Sequence, residues 1–221
     1  MPPPTERTAT HSTEAPEPTR SAGTDLRSAI LEQSRHLLIA HGYDALSMRK
    51  IAKRIGYSAT AIYLHFDSKE SLFHALIEQG MDRMSLALSE AASRSRASEN
   101  PLRSLCRAYI DFGLENPEYY EVMFVLKPVL RHRYPADKYR RARRNLDIFA
   151  EALRAGGDPA IGSDSAALRI DATRVWAMLH GVVSLLIAKR IDSGLDPNDL
   201  IEAAIDGIVA SAVQQSESTL P

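Results

Sequence analysis

Four basic side chains within six positions, Arg49, Lys50, Lys53 and Arg54, are the first feature of the sequence that suggests chemistry. Positions 45–66 contain no Asp or Glu, so this stretch carries a local charge of +4 in a chain whose formal net charge is −1. On a helix these bases form two like-charged i, i+4 pairs, each of which repels by about 0.2–0.5 kcal/mol. A phosphate backbone nearby would turn this repulsion into attraction. The cluster therefore predicts either a DNA-binding surface or a solvated basic face.

The helices expected to carry and follow these bases are short. Ser47 is a good N-cap for one of them, and Gly56 occupies the position that usually ends a helix in the left-handed conformation. Ser58 is a good N-cap for the next helix, which is expected to reach Phe66. Helices of about eight or nine residues are not stable alone in water, so they must pack on something. Two such helices with a three-residue joint are typical of a helix-turn-helix, whose second helix enters the DNA major groove.

Helical spacing recurs along the rest of the chain, and no stretch shows sustained strand alternation. The sequence therefore predicts an all-α protein of about nine helices, in which an N-terminal three-helix helix-turn-helix domain precedes a larger bundle. Asp67 and Glu70 resemble a capping box at the start of the fourth helix. The other expected helices are 25–41, 101–116, 119–124, 137–155, 165–191 and 198–214, with a loop at 128–135.

Composition limits the class of protein. With 221 residues, 44% hydrophobic and 25% charged, the chain is an ordinary soluble globular protein. One cysteine, Cys106, excludes an internal disulfide framework and a CxxC site, so we expect a reducing, cytoplasmic location. The longest apolar stretch, 175–188, has 14 residues and on that count is too short to span a membrane.

The expected domain organisation has four parts. Residues 1–23 contain five prolines and no apolar run, which predicts a disordered arm and not a signal peptide. The helix-turn-helix domain is expected at 24–70. A ligand-binding and dimerisation domain is expected at 71–215, followed by a flexible tail at 216–221.

The stretch from Ile30 to Leu72, about a fifth of the chain, carries a specific order of residues, roughly IA-x3-G-x-S-x3-IY-x-HF-x2-K. It resembles the DNA-binding domain of TetR-type transcriptional regulators. Gln33 and Ser34 stand where that family often has two alanines, and Leu38 stands where Phe is common. These departures lie in the first helix and affect its packing, not the DNA face. The residues that carry the resemblance are Gly42-Tyr43, Ser47, Ile51-Ala52, Gly56, Ser58, Ile62-Tyr63, His65-Phe66, Lys69 and Leu72.

The resemblance implies which residues touch DNA. Side chains that open the recognition helix would face base edges, where alanines contact thymine methyl groups. Others would bind phosphates and position the domain without reading sequence. Lys69 supports this independently, because a cation in the first turn of a helix is disfavoured by about 0.3–1 kcal/mol unless an anion is near. Tyr63 as a packing residue and Lys69 as a surface lysine are the alternatives. The implied set is Ser47, Arg49, Ser58, Ala59, Thr60, Ala61, Tyr63, His65 and Lys69.

The eighth helix is apolar on nearly all sides, so it must be covered on all sides. The protein's own bundle can cover one flank and a two-fold partner another. The resemblance implies a dimer interface made by the last two helices; a monomer with both helices internal is the alternative. The predicted interface residues are Val183, Leu186, Ile187, Ile201, Ile205 and Ile208.

Aromatic and apolar side chains recur at helical spacing through the central helices. Such a set is more often core than ligand site, although bundles do place apolar ligand cavities between helices. The resemblance implies a pocket here for a small-molecule effector of unknown identity. Its candidate residues are Tyr109, Phe112, Tyr120, Met123, Phe124, Phe149, Trp176 and His180.

Other chemistry finds little support. The sequence has no GxSxG, no phosphate-binding glycine loop and no HExxH, so we expect no enzyme, no metal and no cofactor. Residues 131–144 hold seven bases and one acid, which predicts a solvated or salt-bridged face more readily than a second nucleic-acid surface. We expect a homodimeric, operator-binding regulator, most simply a repressor released by an effector. A constitutive regulator without an effector and a helical protein that only binds small molecules are the alternatives.

Overall fold

The computed structural model describes residues 21–94, 100–125, 136–155 and 166–218. Within those ranges the chain forms nine α-helices and one π-helical turn and no strand, which confirms the all-α prediction with an amino-terminal helix-turn-helix. The helices are α1 (Ser21–Ala45), α2 (Met48–Ile55), α3 (Ala59–Tyr63), α4 (Lys69–Arg94), α5 (Pro101–Glu115), α6 (Pro117–Tyr120), α7 (Ala136–Ala155), α8 (Ala166–Ile187) and α9 (Pro197–Ser218); the π-turn, Glu121–Val125, continues α6.

The starts and ends of α2, α3 and α4 follow the predicted signals with three exceptions. Ser47 stands at the N-cap position of α2, but its side chain makes no capping hydrogen bond. Gly56 ends α2 in the left-handed conformation with φ 76°, and the Ser58 hydroxyl accepts a hydrogen bond from the Ala61 N–H at the start of α3. Helix α3 ends at Tyr63, before the predicted Phe66. The predicted capping box is wrong by one position, because Ser68 and Ser71 make it: each backbone N–H donates to the other's hydroxyl at 3.1 Å.

Two hydrophobic cores share one long helix. The amino-terminal core joins α1, α2 and α3 to the first half of α4, from Leu72 to Ile77. The bundle core begins at Met84 of the same helix and joins it to α5, α7, α8 and α9. Met81 packs against both cores. Helix α4 is therefore a continuous rod between them.

Helix α8 has 22 residues and is long and apolar enough to cross a membrane by length and composition, which corrects the shorter estimate from the sequence. The core helix of a soluble protein passes the same test, and α8 packs on α5 and α7 within the bundle. However, just 22% of its most apolar 18-residue window is buried. The chain as described therefore leaves much of this helix uncovered.

Several predicted segments lie outside the described residues. They are the greater part of the arm at 1–23, the loop at 128–135 and the end of the tail. The side chains of the basic segment 131–144 are described only from Arg143 onward, and that guanidinium lies 3.8 Å from an Asp147 carboxylate oxygen.

Candidate functional site

Helix α2 presents all four bases to solvent. Its apolar residues Met48, Ile51 and Ala52 are buried in the amino-terminal core, so its remaining face points outward. Arg49, Lys50, Lys53 and Arg54 are all exposed. The ion pairs found among the described residues involve none of them. The face therefore carries its positive charge without compensation from a described partner.

Helix α3 is anchored by one residue and exposes the rest. Ile62 is fully buried, whereas Ser58 and Thr60 are exposed and Ala59 and Ala61 are half-buried. Tyr63 is 50% exposed, so its contact with a phosphate stays a prediction beside the alternative of a partly buried packing residue. The sequence analysis missed two exposed apolar neighbours, Tyr57 and Leu64, which flank α3 and of which Leu64 is 82% exposed. The signal that would have identified them is the exposure of large apolar side chains at both ends of a helix, which only the structure shows.

Lys69 turns toward α1. Its ammonium lies 4.0 Å from the centroid of the Tyr43 ring and 3.5 Å from the Asp44 carbonyl oxygen. The Tyr43 hydroxyl donates to Glu70 at 3.4 Å, and burial together with that carboxylate raises the pKa of Tyr43 to about 12. Lys69 therefore has a cation–π partner already. Its contact with a DNA phosphate, like those of the half-buried Ser47 and His65, remains a prediction.

Six of the eight candidate pocket residues meet in one cluster in the bundle. Ring centroids lie 6.2 Å apart for Tyr109 and Phe149, and 4.8 Å apart for Tyr120 and Phe124. Trp176 and His180 complete the cluster, with the His180 ring stacked on Tyr120 at 5.5 Å. These six side chains therefore lie together, and their role as an effector pocket stays a prediction.

A chain of hydrogen bonds runs through this cluster. The Trp176 indole N–H donates to the Tyr109 hydroxyl at 3.0 Å, the two tyrosine hydroxyls are 3.1 Å apart, and the Tyr120 hydroxyl is 2.6 Å from Nδ1 of His180. An indole can only donate, whereas each tyrosine hydroxyl can both donate and accept, so the chain begins with Trp176 as the donor. Nε2 of His180 lies 3.5 Å from the Ser184 hydroxyl. The chain therefore links five side chains of α5, α6 and α8.

The other two candidates lie in the same core. Phe112 is buried, and Met123 packs against the α4 backbone, where a Cβ added to Gly80 would lie 2.7 Å from its sulfur. An open groove of about 480 Å³ lies elsewhere, between α4, α5 and α7. Its mostly apolar lining of small residues gave no signal in the sequence. It is lined by Ser89, Ala92, Pro101, Leu105, Arg144, Asp147, Ile148, Glu151, Ala152 and Ala155.

The predicted interface residues face mostly inward. Val183, Ile201, Ile205 and Ile208 are buried in the protomer's own core, and Leu186 and Ile187 are half-buried. A surface between protomers does not fit the burial of those four. The outward face of α8 instead carries Met178 and Leu185, 47% and 46% exposed, and the outward face of α9 carries small residues. Those small residues are Ala203, Gly207 and Ala210.

The described residues offer no obvious reactive centre. Among them there is no group of three His, Cys, Asp or Glu side chains placed to hold a metal ion. Burial raises the pKa of the Cys106 thiol to about 12, so this thiol stays protonated at neutral pH.

Two family models match this chain. The model for bacterial regulatory proteins of the tetR family matches residues 30–76, which hold the basic face and α3. The model for the tetracyclin repressor-like C-terminal domain matches residues 102–208, which hold the aromatic cluster and α8. By sequence, the chain is 29% identical over 191 residues to the HTH-type transcriptional repressor AcnR of Corynebacterium glutamicum, covering 82% of this chain and 93% of that protein.

Solved structures agree on the fold. The crystal structure of regulatory protein SCO4313 aligns with a TM-score of 0.74 at 27% identity, covering 88% of this chain and 100% of that one. The transcriptional regulator FadR from Bacillus subtilis, crystallised with stearoyl-CoA, aligns with a TM-score of 0.66. It is 16% identical and covers 83% of this chain and 97% of that one, so it bears on the fold alone.

Alkaline pH should destabilise the folded protein through the clustered tyrosines. Burial raises the pKa of Tyr120 from 10.0 to about 12 and that of Tyr109 further, whereas the unfolded chain loses these protons near pH 10. Their contribution to stability is therefore complete below pH 10 and is lost as pH rises toward 12. Each such tyrosine lowers the free energy of unfolding by about 1.4 kcal/mol per pH unit in this window.

Urea unfolding followed by circular dichroism between pH 9 and pH 12 measures this loss. Tyr120→Phe removes one of the ionising groups. It should reduce the fall of the free energy of unfolding with pH by about the contribution of one tyrosine. Tyr57→Phe, at an exposed position, is the matched control. An unchanged slope in Tyr120→Phe would mean that this hydroxyl is not shielded as the cluster requires.

Proposed function

The chain belongs to the TetR family of bacterial regulatory proteins and is a DNA-binding transcriptional regulator, and we propose that it is a repressor that a small-molecule effector releases from its operator. The basic face of α2 beside the exposed α3 carries this proposal. Arg49 and its neighbours would hold phosphates while the side chains that open α3 reach base edges. A regulator of this kind works on the chromosome, in the cytoplasm. The name of AcnR, a repressor, supports the sign of the regulation.

The effector part of the proposal rests on the aromatic cluster. Tyr109, Tyr120, Trp176 and His180 combine apolar rings with a few polar atoms, which is typical of small-molecule sites between helices. FadR, which shares the fold, was crystallised with stearoyl-CoA. One observation favours the alternative of a constitutive regulator, because the hydrogen-bond chain is already satisfied without a ligand. A coupling of about 1–3 kcal/mol between effector and operator is typical of such switches.

A homodimer is the third part of the proposal. One helix-turn-helix module reads few base pairs, so a two-fold pair would read a near-palindromic operator. The exposed apolar face of α8, with Met178 and Leu185, needs a cover that the described chain does not supply. On α9, Ala203, Gly207 and Ala210 would let a partner helix approach closely. This face replaces the inward-facing residues that the sequence suggested.

Operator binding is the first measurement. We expect purified protein to retain the intergenic DNA beside its own gene, or a duplex selected from a random pool, against excess random competitor. Arg49→Ala should weaken binding to all sequences and reduce the slope of log Kd against log salt by about 1, since one phosphate contact is lost. Arg190→Ala removes the same charge from the turn that follows α8 and should leave that slope unchanged. If excess competitor abolishes binding to every duplex at both of two salt concentrations, the proposal that this face binds an operator is wrong.

Effector binding has a built-in reporter. Trp176 is the chain's sole tryptophan and donates to Tyr109 in the cluster. Compounds that dissociate the protein–operator complex should change its emission over the same concentration range. Tyr109→Phe should shift that range several-fold while operator affinity without compound stays the same, because the hydroxyl lies far from α3. A compound that releases DNA with no change in emission would place the effector site elsewhere.

The dimer face can be tested with single charges. Met178→Glu or Leu185→Glu would bury an unpaired carboxylate between protomers, so each should give a folded monomer in analytical ultracentrifugation. Leu86→Glu, at a comparably exposed apolar residue of α4, should remain dimeric. Monomeric wild-type protein at micromolar concentration, or dimeric variants at both positions, would contradict this interface.

A further inference from the structure

We propose that the open groove between α4, α5 and α7 binds an elongated apolar molecule with one carboxylate, and that the guanidinium of Arg144 binds that carboxylate. The groove has a volume of about 480 Å³, which lies within the range of roughly 300–1,000 Å³ that small-molecule sites occupy. None of its lining residues belongs to the aromatic cluster. The groove is therefore a separate site from the proposed effector site, and its occupation does not require operator binding.

Small side chains on facing helices create the groove. Ala92 of α4 and Ala152 of α7 leave a gap that longer side chains would fill, and below it lie Leu105, which is 1% exposed, and the half-buried Ile148. On α7 the lining residues recur over 144–155, and eleven steps of an α-helix span about 16 Å. The groove is therefore long and apolar, which suits an extended chain or a flat ring system.

The rim of the groove carries one positive charge in excess. Each acid of the lining has a basic partner on α7: the Arg143 guanidinium lies 3.8 Å from an Asp147 carboxylate oxygen, and Nε of Arg154 donates to Glu151 at 3.1 Å. Arg144 lines the groove and is exposed, and no carboxylate in the described part of the chain forms an ion pair with it. Three arginines and two carboxylates give the rim a net charge of +1. The groove therefore complements a ligand with a single negative charge.

The excess charge lies toward one end of the groove. Asn145 follows Arg144 on α7, and its Nδ2 donates to the Met81 carbonyl oxygen in the middle of α4 at 3.4 Å. From there the groove continues toward Ala92, near the end of α4, and Pro101, the first residue of α5. Arg144 and Pro101 therefore lie toward opposite ends, and a bound ligand has a defined direction.

The end at Pro101 offers no second site for an anion. Proline has no N–H to donate. The Asn100 side chain already accepts from the N–H groups of Leu102 and Arg103, at 2.9 Å and 3.3 Å. The free donors of this helix start are therefore occupied. The carboxylate of the ligand lies at Arg144, and its apolar end lies toward Pro101.

An arginine recognises a carboxylate through two parallel, charge-assisted hydrogen bonds, which an alcohol or an ammonium group cannot form. Isothermal titration calorimetry of the full-length protein tests this with decanoate, decanol and decyltrimethylammonium, which share one alkyl chain. Decanoate should saturate one site per protomer and bind roughly tenfold or more tightly than the ammonium compound. Biphenyl-4-carboxylate carries the same head group on a flat ring pair and distinguishes a flexible chain from a rigid one.

Arg144→Gln separates the head group from the apolar body. It should weaken decanoate binding roughly fivefold or more and leave decanol binding unchanged, because only the carboxylate loses a partner. Arg190→Gln removes the same charge from the turn after α8 and should leave the affinities for both compounds unchanged.

Ala92→Leu tests the groove itself. Ala92 is exposed, so a leucine there occupies the groove without entering the core, and it should abolish binding of decanoate and decanol alike. Ser93→Leu adds the same side chain at the next exposed position, outside the lining, and should bind both as wild type does. Circular dichroism of each variant should match wild type. Tyr109→Phe, in the aromatic cluster, should leave decanoate binding unchanged.

Three results would overturn the proposal. Neither carboxylate binding saturably, or both binding no more tightly than the ammonium compound, would mean that the rim does not select an anion. Binding that Ala92→Leu leaves intact would place the ligand outside the groove. A loss in Tyr109→Phe equal to that in Ala92→Leu would assign it to the aromatic cluster. These measurements contain no DNA, so failure of the regulator proposal and failure of the groove proposal are distinguishable.

Discussion

Helices of eight and five residues do not hold their shape in water, so α2 and α3 depend on the apolar contacts that they make with each other, with α1 and with the first half of α4 in the amino-terminal core. Ile51 and Ile62 are fully buried in that core. Burial of an isoleucine contributes about 1.5–3 kcal/mol, several times the like-charge repulsion within α2. Burial of the inward face of α2 therefore offsets the repulsion between the bases on its outward face. The surface that we propose for DNA binding is therefore a consequence of the core beneath it.

The same dependence couples the position of the helix-turn-helix module to that of the bundle. Helix α4 cannot change its position in the bundle core without moving Leu72, Phe73 and Leu76. These three residues lie in the same hydrophobic core as the buried residues of α2 and α3. A second contact, from Tyr119 and Val122, closes the connection into a loop of helices: α1, α4 and α6. A helix anchored at one end can change its angle, whereas a second contact fixes that angle for as long as the contact holds. Operator recognition by two modules needs such a fixed separation.

Sequence reasoning was most successful where structure is local. Gly56 and Ser58 act on backbone groups within three or four residues, so their types alone predicted the turn. At α4, Asp67 and Ser68 were both chemically acceptable caps, and the choice depended on a reciprocal bond to Ser71. The interface residues were harder to predict for a different reason. Periodicity shows that Ile201, Ile205 and Ile208 share a face, but not whether that face meets its own bundle or a partner. The sequence predicted one helix over 119–124 and gave no signal for the π-turn within it.

The hydrogen-bond chain of the aromatic cluster limits which groups a ligand could place there. Trp176 can only donate, whereas the hydroxyls of Tyr109 and Tyr120 can both donate and accept. A ligand group that enters between two members would have to replace the hydrogen bond that it breaks, or leave a buried polar atom unpaired at about 1–3 kcal/mol. A hydroxyl or an amide meets this condition, whereas a purely apolar group does not. The aromatic rings would supply most of the contact area, and the polar atoms would supply the selectivity. Tyr120, which has a hydrogen-bond partner on either side, directly precedes the π-turn.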